Sequence, residues 1–142
     1  MYKTILLAID LNEPSSWVKA LPVALEQAAS GGGRLHVMTV VPDFGMAIVG
    51  SFFPADYEKQ ALAGAGEALA QFVRENVPAE VEVTHSVGHG TIYKEVLATA
   101  DDIGADLIVM ASHRPVQSDY LLGPNAARVV RHATCSVLVV RG

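Results

Sequence analysis

Apolar and polar positions fall into blocks along this chain, and the blocks change period in a regular order. The first block, Tyr2 to Ile9 (YKTILLAI), is short, aliphatic and β-branched, and it stops at Asp10. So little polar interruption predicts a strand covered on both faces. Beyond it, Trp17, Leu21, Leu25 and Ala28 recur at four- and three-residue steps, the spacing of one helix face. Ser15 or Ser16 is placed to cap that helix, while Pro22 inside the pattern predicts a kink or a later start. Gly31-Gly32-Gly33 ends it, and Leu35 to Val41 is the second strand.

Pro42 to Asp56 (PDFGMAIVGSFFPAD) has no clean period, yet it carries Phe44, Met46, Ile48, Val49, Phe52 and Phe53. A loop of that length and apolarity is expected to pack over something, with Phe52 and Phe53 as a candidate lid. Tyr57 to Val77 is the longest helical pattern, with Leu62, Ala65, Leu69, Phe72 and Val73 on one face and Pro78 as its stop. Val81 to Val87 alternates more weakly, as an edge strand does. Gly88 and Gly90 mark a turn, Thr91 is the expected cap, and Ile92 to Ile103 is the third helix. Leu107 to Met110 is purely apolar and breaks into Ala111-Ser112-His113-Arg114-Pro115. Gly123-Pro124-Asn125 then heads a fourth helix, and Val137 to Val140 closes the chain. Strands and helices in strict alternation predict an α/β fold: one doubly wound parallel sheet with helices on both faces, in a single domain over residues 1–142.

Composition narrows the class. At 142 residues, with 51% apolar and 18% charged side chains, the chain can bury a sizeable core and is not disordered. No apolar run approaches the roughly 20 residues of a membrane span, and Met1-Tyr2-Lys3 leads into a strand rather than a signal peptide. The lone Cys135 excludes an internal disulfide and fits a reducing compartment. A formal charge of −5 gives no reason to approach nucleic acid or anionic lipid. The expectation is a cytoplasmic domain with neither a membrane nor a nucleic-acid partner.

Ligands of such sheets sit beyond the carboxyl ends of the strands, where the strand order reverses. Asp10, Val40, Val41 and Ala111 to Arg114 stand at those ends. Gly123-Pro124-Asn125 adds a helix start: proline suits the first helical position, leaving the N–H groups of Asn125 and Ala126 for an anion. Ser112, His113 and Arg114 can hold a phosphate, with Arg114 as the charged fork; the competing reading has Arg114 solvated or paired with Asp119. Side chains of this kind suit a monophosphate better than a wrapped triphosphate. Elsewhere the chemistry is thin. His85 and His89 are four apart but flank Gly88, with no third ligand at metal spacing. Ser112 and His113 are adjacent, so they do not form a hydrolytic pair. His132 closes a helix where a cation is favoured, and Cys135 reads as a small structural residue.

Taken in order, KTILLAID, LHVMTVVP, ADLIVMASHR, LLGPNAARVVRHA and CSVLVVR resemble the universal stress protein family, most closely its short subgroup with the Ser-His-Arg-Pro loop. The resemblance implies an adenine-nucleotide alpha-hydrolase-like fold with strand order 3-2-1-4-5 and four helices. It also implies a homodimer joined through the last strand, Ser136 to Val140, and ATP or AMP at the switch point between strands one and four. Asp10 corresponds to an adenine-side aspartate, and Val40 to a residue whose backbone meets adenine. The family's glycine pattern is altered: Ala111 and Arg114 replace its two early glycines, the spacer to Gly123 is one residue shorter, and Pro124 replaces a hydroxyl residue.

The resulting nucleotide set is Ala8, Asp10, Val40, Met110, Ser112, His113, Arg114, Gly123, Pro124 and Asn125. No catalytic residue or protein metal ligand is expected, and Mg would arrive only with ATP. The functional expectation is a dimeric, nucleotide-binding stress-response regulator rather than an enzyme. A nucleotide-independent interaction module and a slow phosphate- or adenylate-transfer enzyme are the alternatives.

Overall fold

The computed structural model describes residues 2–41, 57–112 and 124–141. Strands β1 (Thr4–Ile9), β2 (Arg34–Val41), β3 (Val83–His89), β4 (Leu107–Ala111) and β5 (Ser136–Val140) alternate there with helices α1 (Ala20–Gly31), α2 (Tyr57–Asn76), α3 (Ile92–Ile103) and α4 (Pro124–His132). Every pairing is parallel, and the sheet order is β3-β2-β1-β4-β5, as expected. No helix among the described residues is long and apolar enough to cross a membrane.

The continuous apolar runs exist because the central strands are buried from both sides. Ile5, Leu7 and Ile9 pack with Val37 and Val109 against Ala20, Leu21, Ala24 and Ala28 of α1 and Leu69, Phe72 and Val73 of α2. On the other face Leu6, Met38, Ile108 and Met110 meet Val96 and Ala100 of α3 and Val129 of α4. Leu6 is wholly buried, so truncation to alanine there is a cavity mutation costing about 2–5 kcal/mol.

Of the two alternatives at Pro22, the later helix start holds, while the placing of Trp17 on that helix, the Ser16 cap and the end of the third strand are revised. Helix α1 starts at Ala20, behind a 3-10 turn at Pro14–Ser16, so Trp17 precedes it and packs edge-on against Phe72 at 5.1 Å. The late start places Pro22 in the first turn, where its missing N–H has no intrahelical partner to lose. Ser16 does not cap that helix: its Oγ accepts the Asp10 N–H at 2.8 Å and donates to the Asp10 carbonyl at 3.0 Å. Strand β3 runs to His89, two residues beyond the expected end, because each residue from Val83 to His89 pairs with β2. It is an edge strand, as its weak alternation suggested. Thr91 occupies the N-cap of α3, though its side chain makes no capping hydrogen bond. Gly32 and Gly104 end α1 and α3 in the left-handed conformation, with φ of 61° and 68°.

Candidate ligand-binding site

The chain leaves β1 toward β2 and β3 on one side and reaches β4 and β5 on the other, so the strand order reverses between β1 and β4. Register sets Ala8 beside Met110 and Ile9 beside Thr39 at this end of the sheet. A cavity of about 390 Å³ opens there, within the usual range for small-molecule sites. The strand ends supply Ala8, Ile9, Thr39, Val40, Val41, Met110 and Ala111. Helix α2 adds Ala61 and Ala65, α3 adds Ile92 and Val96, and the first turn of α4 adds Asn125 and Ala126. The polar part comes from Asp10, Asn12, Glu13, Ser15, Ser16 and Ser112.

Asp10 carries two roles at once. Its Oδ1 accepts the N–H of Asn12 at 2.9 Å, the side-chain turn typical of an aspartate at a strand end. Its carbonyl accepts the N–H of Glu13 at 2.9 Å. These bonds, with those of Ser16, fix the loop after β1 from within. The second carboxylate oxygen of Asp10 has no partner among the described residues. One oxygen thus shapes the turn and one remains for a ligand, so the capping and binding readings of this residue are compatible.

Ser112 is buried, and its N–H donates to the Val140 carbonyl at 2.9 Å, continuing the β4–β5 ladder one residue past β4. That bond holds the start of the Ser112–Arg114 segment at the strand end. Helix α4 begins at Pro124, and its last turn carries the basic residues Arg131 and His132. The dipole is thus complemented at its far end, while the near end borders the cavity.

Of the ten expected residues, Ala8, Asp10, Val40, Met110, Ser112 and Asn125 line one cavity. Pro124 is exposed and is not part of the lining. His113, Arg114 and Gly123 lie outside the described residues, as do Asp119 and the lid candidates Phe52 and Phe53. Several lining residues were not anticipated. Thr39, a buried hydroxyl in an otherwise apolar strand end, had a readable signal in its polarity. Ala61, Ala65, Ile92 and Val96 had none, because their presence depends on how the helices dock. Among the described lining residues the charged side chains are Asp10 and Glu13, both acidic, and no cluster of three or more potential metal-ligating side chains occurs.

Residues 1–141 match the model of the Universal stress protein family. The chain belongs to that family. Universal stress protein G of Escherichia coli O157:H7 is 36% identical over 145 residues, spanning 99% of this chain and all of the relative. Among solved structures, universal stress protein UspA from Lactobacillus plantarum superposes with a TM-score of 0.71 at 21% identity, covering 99% of this chain and 98% of that one. A universal stress protein in complex with cAMP gives 0.63 at 22% identity, covering 99% and 97%. Sequence identity thus places the chain among the universal stress proteins, and the structural matches show that they share its doubly wound fold.

Proposed function

We propose that this universal stress protein binds an adenine nucleotide at the switch point between β1 and β4 and works as a cytoplasmic homodimeric stress-response regulator. The observation that carries the reading is the cavity lined by both Asp10 and Asn125, with one Asp10 carboxylate oxygen uncommitted among the described residues. That oxygen accepts from a ribose hydroxyl or the adenine amine, while the apolar strand ends at Ala8, Val40 and Met110 receive the base. The N–H groups heading α4 and the Ser112, His113, Arg114 and Gly123 loop receive phosphate. A related fold in complex with cAMP supports a ligand of this size and class. AMP is favoured over ATP, since acidic side chains at the lining repel added phosphates and Pro124 takes the place of a hydroxyl. No residue is assigned a catalytic role; the bound nucleotide changes the surface offered to partners.

Homodimerisation through β5 is supported by the state of that strand. It is an edge, and Val137, Leu138, Val139 and Val140 are each only partly covered. A second copy pairing there would hide an apolar edge through an isologous contact. Native mass spectrometry of the purified protein tests both parts. Two subunits carrying AMP-sized mass support the proposal; a monomer, or calorimetry without heat for AMP, ADP and ATP at millimolar concentration, contradicts it. The altered glycine pattern favours a second reading, a dimeric module that acts without nucleotide, and the same calorimetry distinguishes it.

A further inference from the structure

We propose that His89 is a positioning residue for the cavity: its contact with Glu58 holds the α2 wall in place, so that nucleotide affinity depends on this pair. The inference rests on the nucleotide reading for its effect on binding, but its structural part stands independently.

His89 ends β3 in register with Val41, which ends β2 and lines the cavity. The following N–H, of Gly90, donates to the Val41 carbonyl at 3.0 Å. The His89 N–H itself donates to Glu95 Oε1 at 3.2 Å, and Glu95 lies on α3 between the lining residues Ile92 and Val96. On the ring side, Nε2 is 2.5 Å from Glu58 Oε1. Glu58 belongs to the first turn of α2, three residues ahead of Ala61 in the cavity wall.

Helices α2 and α3 pack on opposite faces of the sheet. Side chains from both therefore converge on one residue at the end of the edge strand. Gly88 makes room for this: a Cβ there would come within 3.1 Å of both Cβ and Oε1 of Glu95. Through Val41, Ala61, Ile92 and Val96, the junction borders the cavity on three elements. Glu58 and His89 are partly exposed, with side-chain accessibilities of 48% and 30%, so their contact tunes the wall rather than building it.

The test compares wild type with Glu58→Gln, His89→Gln and the double variant, using AMP calorimetry and amide exchange at residues 57–65 without ligand. Each single change is expected to weaken AMP about fivefold. The double change should be no worse than either single one, and exchange in the first turn of α2 should quicken while the urea midpoint stays put. Unchanged exchange in both single variants overturns the proposal. So does faster exchange with unaltered AMP affinity, or a double variant whose losses simply add. If wild-type protein takes up no AMP, the nucleotide reading fails and the exchange measurement alone decides whether His89 pins α2. Glu58→Gln, a surface change, keeps that decision available if His89→Gln disturbs folding.

Discussion

Asp10, immediately after β1, and Asn125, in the first turn of α4, border the same cavity although they come from opposite ends of the chain. Only one carboxylate oxygen of Asp10 is engaged by the turn that follows it, among the described residues. Asp10→Asn keeps an acceptor for the Asn12 N–H and removes the charge. We expect AMP to bind at least about tenfold more weakly, in line with the loss of a charge-assisted hydrogen bond, while the urea midpoint barely moves. Asp10→Ala should lose both binding and turn stability. Equal AMP affinity in wild type and Asp10→Asn, measured by calorimetry, would remove Asp10 from the site.

At the opposite end of the sheet, Asp106 ties the start of β1 to the approach of β4. Its carboxylate accepts the N–H of Lys3 at 2.9 Å and of Thr4 at 3.0 Å. Partial burial pushes its carboxyl up, but the amides of Lys3 and Thr4, its own amide and the chain's N-terminal charge together hold it below the ordinary value of 3.8. Hydrogen bonds to a charged group of this kind are worth roughly 1.5–3 kcal/mol, reduced here by solvent to about 1 kcal/mol. Asp106→Ala should lose that amount at pH 7. Because the folded carboxyl titrates low, its contribution is present above 3.8 and fades as pH falls through the folded value. Urea midpoints of wild type and variant should converge on acidification; a constant gap would contradict the assignment.

Legibility in the sequence followed burial. The runs Ile5–Ile9 and Leu107–Met110 announced central parallel strands because both of their faces are covered. The edge strand β3 gave no such pattern: Thr84 and His85 are exposed, and its bounds follow from register with β2. Ser16 looked like a helix cap because its chemistry fits one, but Asp10 engages it first. Within the site, Asp10, Val40, Met110 and Ser112 were readable because strand ends are predictable positions. Ala61, Ala65, Ile92 and Val96 were not, since small and aliphatic residues on a helix face look alike whether they meet a core or a cavity.

His36 gives a second acid-sensitive element, in a different pH range. Its buried ring lies between two hydroxyls of β3, with Nδ1 2.6 Å from Thr84 Oγ1 and Nε2 2.8 Å from Ser86 Oγ. Burial lowers its pKa from 6.5, and the neighbouring charge of His85 adds to the effect. The native state therefore favours neutral His36 more than the unfolded chain does. The associated stability is complete above 6.5 and is lost as pH falls through the lower folded value. Stability should decline as pH falls below 6.5, and His36→Gln should flatten that decline. A variant with the wild-type slope in urea titrations would assign the decline to other groups.

Glycines offer a test with opposite signs in one fold. A Cβ added at Gly64 or Gly66 of α2 would meet nothing within 4 Å, and neither residue lines the cavity. Each spends helix-forming tendency without a steric reason, so Gly64→Ala and Gly66→Ala should each stabilise by about 0.5–1 kcal/mol, or about 2–4 °C in Tm. AMP affinity should be untouched. Gly33 is different: a Cβ there would stand 2.7 Å from the Tyr2 carbonyl and 2.8 Å from that of Lys3. Those atoms belong to backbone leading into β1, which cannot step aside without disturbing the central strand. Gly33→Ala should therefore destabilise by about 1–3 kcal/mol. Calorimetric melting of the three variants checks both signs at once. Destabilisation by Gly64→Ala would mean that something in the assembled protein packs closely against that side of α2.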